Sequence, residues 1–444
     1  MERMYSALSF LSSEVFGGMK EMKDLNRDGK CEDKTGVESA SPEPRQGRKF
    51  SSGVLAGALA AVIVICGLAG LWRVFEDVRG GYYTSGNVSE ADVNEKLDQI
   101  NSLIEDYYLY EDEIDKDTLI DGIYSGYAQA LGDPYTEYYD REETETLYES
   151  TSGEFSGIGA TMSQSLDSGE VTVSNVYEDS PAEKAGLKQG DIIYQVDNHP
   201  TSGQELETVV SWIKGGQGTD VVLHVLRDGE ELELTATRDL IEVQTVSSEM
   251  KDGQIGYISV SEFDSVTYEQ FKTSLEELDS QGMKGLIIDL RGNPGGNLST
   301  VTDMLSLILP KGTIVSVKDK YGNTEEITCD GTHEFTKPLA VLVNQYSASA
   351  SEIFSGAVQD YGTGTIVGTT TYGKGVVQQL MDLGDGTCLK ITIAEYYTPS
   401  GRSINGTGVK PDVEVKYEYD ENHPEADNQL EKALEVVKSE LEQE

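Results

Sequence analysis

The sequence predicts an α/β core joined to a small β-rich domain, with a helical region and one membrane-spanning helix ahead of them. Three patterns indicate this organisation. From Gly256 onward, short apolar strands alternate with helical periodicity, which is typical of helices layered on a sheet. Residues 153–240 have the short strands and frequent turns of a β-rich domain. Residues 53–72 form a run of 20 residues without a charge.

The N-terminal part is predicted to comprise a disordered cytoplasmic tail, residues 1–50, and a membrane anchor, residues 51–73. At about 1.5 Å per residue, the uncharged run is long enough to cross a hydrocarbon core of roughly 30 Å. Arg45, Arg48 and Lys49 precede it, so the positive-inside rule places the N-terminus in the cytoplasm and the remainder outside. A cleaved signal peptide is the alternative, but the run is longer than such a segment and no A-x-A-like site follows it.

The composition excludes a general nucleic-acid binder. The chain has 79 acidic and 34 basic residues and a formal net charge of −45, so a polyanion would be repelled. We interpret this charge as the surface of a soluble, self-repelling domain; adaptation to salt or calcium outside the cell is the alternative. The four cysteines, Cys31, Cys66, Cys329 and Cys388, have no CxxC metal-binding spacing. Only Cys329 and Cys388 would share an oxidising compartment, and the sequence leaves open whether they form a disulfide.

Residues 90–150 are predicted to form a helical region. Apolar residues recur at helical spacing within residues 97–104 and again within residues 119–127. We interpret the tyrosines found between positions 107 and 148 as helix packing or as a contact between two copies in a homodimer, rather than as a binding site. Residues 421–444 are predicted to contain a C-terminal helix that serves packing or dimerisation.

Residues 153–240 carry three recognisable features in a fixed order. The first is a turn whose successive N–H groups can face one carboxylate, formed by Gly157, Ile158, Gly159 and Ala160. The second is a short capped helix and following strand at residues 180–193, and the third is an amphipathic helix at residues 205–214. Together they resemble a bacterial PDZ domain, which binds an extended peptide beside a strand and the peptide's terminal carboxylate at such a turn.

A candidate catalytic serine lies at a strand-to-helix turn. Residues 339–343 are an apolar strand, and a loop of small residues leads to a helical segment from Ala350. Ser349 therefore lies where backbone N–H groups carry partial positive charge, which favours a developing oxyanion. A serine is a weak nucleophile until a base takes its proton. Lys374 lies between two glycines and can be that base if burial lowers its pKa.

A second glycine turn follows the apolar strand predicted at residues 285–290. Residues 291–296 read RGNPGG and lead into a helix predicted at residues 299–309. A strand, a glycine turn and a helix start can cradle phosphate. These residues match neither GxxxxGK[ST] nor GxGxxG, so no nucleotide site is predicted.

The serine and lysine motifs resemble those of the carboxyl-terminal processing proteases, or tail-specific proteases, of peptidase family S41. SASASEI at residues 347–353 is followed by GKG at residues 373–375, and a glutamine stands four residues after the lysine. The resemblance implies a ClpP/crotonase-like α/β protease core at residues 241–420, with the PDZ domain inserted ahead of it. It also implies a Ser–Lys dyad that uses no metal and no cofactor.

Carried over by position, the resemblance assigns a role to each site residue. Ser349 is the nucleophile, Lys374 the general base, and Gln378 the residue that orients the lysine. One oxyanion-hole N–H is assigned to Gly295, with Gly296 as the close alternative. The second oxyanion-hole N–H is assigned to Ala350.

The expected function is that of a single-pass bacterial membrane protein whose extracytoplasmic serine endopeptidase domain recognises substrate C-termini through the PDZ domain. Protein or peptide substrates would be cleaved through an acyl-enzyme intermediate. A histidine-based triad is the enzymatic alternative, with His333 as its sole candidate. The non-enzymatic alternative is a catalytically inactive, membrane-tethered PDZ scaffold that binds peptides.

Overall fold

The computed structural model describes residues 90–166, 168–423 and 426–443. The predicted tail and anchor, together with Cys31 and Cys66, lie outside these residues. Throughout the described ranges, every helix is too short or too polar to cross a membrane.

The chain divides into two units, residues 1–111 and residues 112–444. The first contains helix α1, Glu90–Tyr107. A single 3₁₀ turn, Glu111–Glu113, precedes the helices of the second unit. All further elements belong to the second unit.

The predicted helical region contains two capped helices of the second unit and one short strand, β1 (Glu137–Tyr139). Helix α2 (Lys116–Gln129) starts at Asp115, whose side chain accepts a hydrogen bond from the backbone N–H of Thr118. Helix α3 (Arg141–Ser152) starts with a capping box between Asp140 and Glu143 and ends at Gly153, in the left-handed conformation with φ of 74°.

The β-rich region is a sheet in the order β3-β4-β5-β7-β8, with β6 paired to β5 and two short helices packed against it. Strand β3 is an edge strand and so has one unpaired side. A separate two-stranded sheet of β2 and β9 pairs the segment that enters this domain with the segment that leaves it. The bounds are β2 (Glu154–Gly157), β3 (Ala160–Gln164), β4 (Val171–Val176), α4 (Pro181–Ala185), β5 (Ile192–Val196), β6 (His199–Pro200), α5 (Leu206–Ile213), β7 (Asp220–Arg227), β8 (Glu230–Thr237) and β9 (Asp239–Glu242).

The predicted α/β core is confirmed as a six-stranded sheet in the order β10-β11-β12-β15-β16-β19, parallel except at β10. Alternate residues of its central strands enter different cores, so Ile288 packs on the side of α6, α7 and α8 whereas Ile287 packs on the side of α9. Helices cover both faces, as buried parallel strands require. The bounds are β10 (Val246–Lys251), β11 (Ile255–Val260), α6 (Thr267–Ser280), β12 (Gly285–Asp289), α7 (Leu298–Ser306), β15 (Leu339–Val343), α8 (Ala350–Tyr361), β16 (Thr365–Gly368), β19 (Val413–Glu414) and α9 (Asn428–Leu441).

A second, antiparallel sheet joins the helical region to the core. Its order is β1-β18-β13-β14, with β17 also paired to β18; the bounds of the new strands are β13 (Gly312–Asp319), β14 (Thr324–Cys329), β17 (Val376–Asp382) and β18 (Cys388–Tyr397). Both cysteines in this sheet, Cys329 and Cys388, are buried free thiols. The disulfide that the sequence left open is therefore not formed in this structure.

Candidate active site

Two loops meet at the carboxyl ends of strands β12 and β15. The strands pair in parallel, with Asp289 opposite Leu342, so the loops that follow them leave the sheet side by side. Several hydrogen bonds tie these loops together, among them one from the N–H of Gly292 to the side-chain oxygen of Asn344 at 3.0 Å. The N–H of Ala348 and the hydroxyl of Ser351 both donate to the carbonyl of Asn293, at 3.1 and 3.0 Å, and the hydroxyl of Ser347 donates to the carbonyl of Leu290. The hydroxyls of Ser347 and Ser351 therefore make structural hydrogen bonds.

Ser349, the serine between them, has a strained backbone. Its φ is +51° with ψ of −112°, a conformation that is rare for a residue with a side chain. The turn is crowded, since a Cβ added at Gly295 would lie 2.8 Å from the Cβ of Ser349. The N–H of Ser349 donates to Oε2 of Glu352 at 2.9 Å, which fixes the start of α8. Strain of this kind accompanies nucleophiles at strand-to-helix turns.

The backbone donors around Ser349 differ from the first choice made from the sequence. The N–H of Gly295 donates to the side-chain oxygen of Asn293 at 2.8 Å inside the protein, so it is already engaged. Within the described residues, the N–H groups of Gly296 and Ala350 have no hydrogen-bond acceptor. The structure therefore favours Gly296, the alternative, over Gly295 as the partner of Ala350.

Lys374 is partly buried on a tight glycine loop just before β17. A Cβ at Gly375 would lie 2.6 Å from the N atom of Asn405, so only glycine allows this approach. The Nζ of Lys374 lies 4.7 Å from the centroid of the Tyr135 ring. Burial, assisted by the charge of Lys390, lowers the pKa of Lys374, while the carboxylates of Asp133, Glu137 and Glu352 oppose that shift.

The buried carboxylate of Glu352 links the serine loop to the lysine loop. Its Oε1 accepts hydrogen bonds from the hydroxyl of Thr371 at 2.5 Å and the N–H of Gly373 at 2.7 Å. Its Oε2 accepts from the N–H of Ser349 at 2.9 Å and that of Lys374 at 2.8 Å. Burial raises the pKa of Glu352, and the four hydrogen bonds act against that shift by favouring the carboxylate. A single side chain thus fixes the backbone of both candidate catalytic residues.

Tyr396 makes a second link between the same two residues. Its hydroxyl is buried and donates toward the carbonyl of Ser349 at 3.0 Å and that of Lys374 at 2.5 Å. Glu352, Tyr396 and Tyr135 were not identified from the sequence. Only Glu352 had a local signal, because a serine followed three residues later by glutamate is the spacing of a capping box.

Gln378 does not make the hydrogen bond expected of it. Its amide Nε2 donates to the hydroxyl of Thr392 at 3.1 Å, and no hydrogen bond joins it to Lys374 among the described residues. The reason is the position of the lysine amine, which is turned toward the ring of Tyr135. Nor does a hydrogen bond join the side chains of Ser349 and Lys374 in the described part of the chain.

A cavity of 530 Å³ brings the predicted residues of the protease site together. It is lined by Ser349, Lys374, Gln378, Gly295, Gly296 and Ala350. Apolar side chains, among them Leu298, Ile353 and Val376, form part of its wall. His333 instead lines a separate cavity of 340 Å³ beside α6, so the structure gives the histidine alternative no geometric support.

The predicted carboxylate turn lies at the edge of the β-rich domain. Gly159 has φ of 74°, and a Cβ there would lie 2.5 Å from the Cβ of Ser180. The carbonyl of Ile158 accepts from the N–H of Ala182, while the N–H groups of Ile158 and Gly159 have no acceptor among the described residues. The turn leads through Ala160 into edge strand β3, against which α5 packs. This places free N–H groups at one end of an open strand edge.

Comparison with known proteins places both domains. The family model for peptidase family S41 matches residues 254–415, and that for the PDZ domain matches residues 156–237. The carboxy-terminal processing protease CtpA of Bacillus subtilis (strain 168) is 36% identical over 345 residues, which cover 76% of this chain and 73% of that protein. A probable CtpA-like serine protease of Staphylococcus epidermidis is 35% identical over 362 residues, covering 80% and 72%.

A solved structure is also similar. The photosystem II D1 C-terminal processing protease is 30% identical with a TM-score of 0.42, and the match covers 71% of this chain and 86% of that one. The sequence relatives span most of the chain at more than a third identity. The chain therefore belongs to the carboxy-terminal processing proteases of peptidase family S41 and is a serine-type endopeptidase with a PDZ domain.

Proposed function

We propose that this protein is a membrane-anchored, extracytoplasmic endopeptidase that cleaves peptide bonds with Ser349 as nucleophile and Lys374 as general base. The observation that carries the proposal is the Glu352 carboxylate. It accepts hydrogen bonds from the backbone N–H of both residues and holds them at one cavity. A serine-reactive phosphonate tests the proposal. It is expected to label Ser349, and absence of labelling in a protein that still binds peptides would favour the inactive scaffold.

The proposed reaction begins with a turn of the lysine side chain. The amine leaves the face of Tyr135, where the cation–π contact favours its charged form, and approaches the hydroxyl of Ser349. Burial lowers the pKa of Lys374, which favours the neutral amine that is proposed to take the serine proton. The serine oxygen attacks the scissile carbonyl, the lysine returns the proton to the leaving amine, and water then releases the acyl group.

The N–H groups of Gly296 and Ala350 are proposed to hold the oxyanion. Replacing Gly296 by alanine is expected to lower kcat by about 10²–10³-fold, the cost typical of losing one such donor. The added Cβ would lie 2.5 Å from the carbonyl of Phe263, and φ is +144°, so the loop must move. Steady-state kinetics on a fluorogenic peptide measures the effect.

Gly292→Ala is the matched control for that experiment. Gly292 lies in the same loop with φ of +76°, and a Cβ there meets nothing within 4 Å. It therefore places a side chain at a positive φ in the same loop, with milder strain than at Gly296 and without displacing the donor. The kcat is expected to stay near the wild-type value. An equal loss of kcat in both variants would contradict the assignment of Gly296.

Substrate C-termini are proposed to bind along edge strand β3, with the carboxylate at Gly157, Ile158, Gly159 and Ala160. The unpaired strand edge supports this, because a peptide can add there as a further strand. The free N–H groups of Ile158 and Gly159 support the position of the carboxylate. The protein and peptide substrates of the enzyme would thus be recruited by their tails.

The membrane location rests on the sequence of residues 53–72 and the preceding positive charges. In bacterial cells that express the full chain, the protein is expected in the membrane pellet after carbonate extraction. Protease added outside spheroplasts is expected to reach its catalytic domain. Release of the protein by carbonate, or protection from external protease, would contradict the proposed anchor or its orientation. A variant lacking residues 51–73 is the matched control, since it removes the span alone.

A further inference from the structure

Two carboxyl groups line the active-site cavity on the segment beside the glycine turn. Glu262 and Asp264 flank Phe263, whose N–H donates to the carbonyl of Gly295 and whose carbonyl accepts from the N–H of Asn297, at 2.9 and 2.7 Å. Phe263 is fully buried in the core, and alternate residues of an extended segment face opposite sides. Its two neighbours accordingly both border the cavity that contains Ser349.

The backbone of Asp264 is fixed. Its N–H donates to the hydroxyl of Thr267 at 3.0 Å, and its carbonyl accepts from the hydroxyl of Thr300 at 3.1 Å. A Cβ added at Gly153 would lie 2.9 Å from the Cβ of Asp264, so the end of α3 presses on the same side chain. The carboxyl is therefore held in one place at the cavity wall.

Within the part of the chain that the structure describes, no cation offsets this carboxyl. Asp264 is only 5% exposed, and among the described residues its carboxyl interacts with Glu262 alone. The other charged or titratable side chains that line the cavity are Lys374, Lys390 and Tyr396, and none of them acts on Asp264. Burial and the charge of Glu262 raise the pKa of Asp264 to about 7. A buried carboxylate normally has a partner of opposite charge, and the side of Asp264 that is not packed against protein faces the cavity.

We propose that Glu262 and Asp264 form a subsite for a cationic side chain of the substrate, lysine or arginine, close to the scissile bond. The inference rests on the proposed protease function. A cation placed there would supply the hydrogen bonds and the positive charge that the protein does not supply to the pair. The apolar wall at Leu298 and Ile353 can cover the aliphatic stem of a long basic side chain. Gly296, the proposed oxyanion donor, lines the same cavity. The subsite therefore lies close enough to the scissile carbonyl for a substrate side chain near that bond to reach it.

The test uses fluorogenic peptide pairs that differ only by lysine against norleucine, scanned through the positions on both sides of the scissile bond. At one position, kcat/KM is expected to be higher for lysine by about tenfold or more, the effect of a hydrogen bond to a charged group. The ratio is expected to fall toward one in Glu262→Gln and in the double variant with Asp264→Asn. Glu269→Gln removes an exposed acid from the first turn of α6, outside the cavity, and is expected to keep the wild-type ratio.

The pH dependence gives a second readout. Below about pH 7 Asp264 is mainly protonated, and above about pH 7 it is mainly ionised. The ratio of kcat/KM for the lysine peptide to that for the norleucine peptide is therefore expected to rise from pH 6 to pH 8. Titration of Lys374 changes the rate of both peptides equally and so does not change this ratio. A ratio that does not change with pH would contradict the pair as its source.

The outcomes separate this inference from the proposed function. Cleavage of norleucine and lysine peptides at equal rates in every position would overturn the subsite while leaving the protease intact. Absence of any cleavage and of phosphonate labelling would overturn the protease function itself. Should Asp264→Asn fail to fold, the exposed Glu262→Gln carries the test alone. A preference lost when the peptide amino terminus is acetylated would show that the terminal ammonium, and not a side chain, is recognised, which also overturns the proposal.

Discussion

Replacement of Lys374 by arginine is expected to lower peptide hydrolysis by about 10²–10⁴-fold, the contribution typical of a general base. Arginine keeps the positive charge and a similar reach, but its guanidinium cannot be deprotonated in a protein. The proton of Ser349 then has no acceptor. Initial rates on a fluorogenic peptide measure the loss, and thermal unfolding verifies that the variant is folded.

The pH profile of the same experiment identifies the lysine as the base. The neutral amine is the active form, so the wild-type kcat/KM is expected to rise with pH as Lys374 loses its proton. Burial lowers the pKa of Lys374, which places that rise at lower pH than for an ordinary lysine. Lys432→Arg, on the exposed face of α9, is the matched control and is expected to retain both rate and profile. Retained proteolysis in Lys374→Arg would refute the dyad.

The proposed nucleophile and general base could be proposed from the sequence because their signals are local. Ser349 follows an apolar strand and begins a helix, and Lys374 lies between glycines that permit close packing. Parallel strands then bring such loops to one edge of the sheet. The alternation of strands and helices, which predicts the α/β core, is likewise a property of short segments.

The supporting residues could not be placed because their contacts are distant in the chain. Tyr135 reaches Lys374 only because β1 pairs with β18, and Tyr396 reaches both candidate catalytic residues from the far end of β18. No periodicity encodes such pairings. The tyrosines of the helical region were interpreted as packing or as a dimer contact. Tyr138 does pack on Tyr124, with ring centroids 5.3 Å apart, whereas Tyr135 covers the lysine.

The oxyanion loop shows a different limit of sequence reasoning. Two consecutive glycines offer two N–H groups, and which one is free depends on a single side chain. The amide oxygen of Asn293 accepts from the N–H of Gly295 at 2.8 Å. Of the two glycine N–H groups, that of Gly296 is therefore the one left without an acceptor among the described residues. Hydrogen-bond partners two residues apart are decided by backbone torsions that composition and spacing do not specify.

Replacement of Glu352 by glutamine is expected to lower kcat by about 10²-fold, the cost of a misplacement of roughly 1 Å at the reacting groups. The carboxylate accepts four hydrogen bonds, three of them from backbone N–H groups. A glutamine has one acceptor oxygen and one NH₂ group. Whichever way the amide turns, its NH₂ faces at least one backbone N–H at Ser349, Gly373 or Lys374.

That unsatisfied donor also has a thermodynamic consequence. Leaving one buried N–H without an acceptor costs about 1–3 kcal/mol, so the midpoint of thermal unfolding is expected to fall. The lysine loop is expected to be displaced more than α8, because Glu352 joins this loop to the helix. Hydrolysis should therefore decline mainly in kcat, since the groups that bind the substrate on the cavity wall keep their positions.

Asp360→Asn on the same helix separates the two effects. Asp360 is partly buried at the other end of α8. It pairs with Arg402 at 3.1 Å and accepts from the N–H of Ser400, but it does not line the cavity. Its loss is expected to lower stability while kcat stays near that of the wild type. If Glu352→Gln lost no more activity than Asp360→Asn at equal loss of stability, the carboxylate would be a structural cap only. A selective loss of kcat would instead show that joining the two loops is what positions the serine and the lysine for reaction.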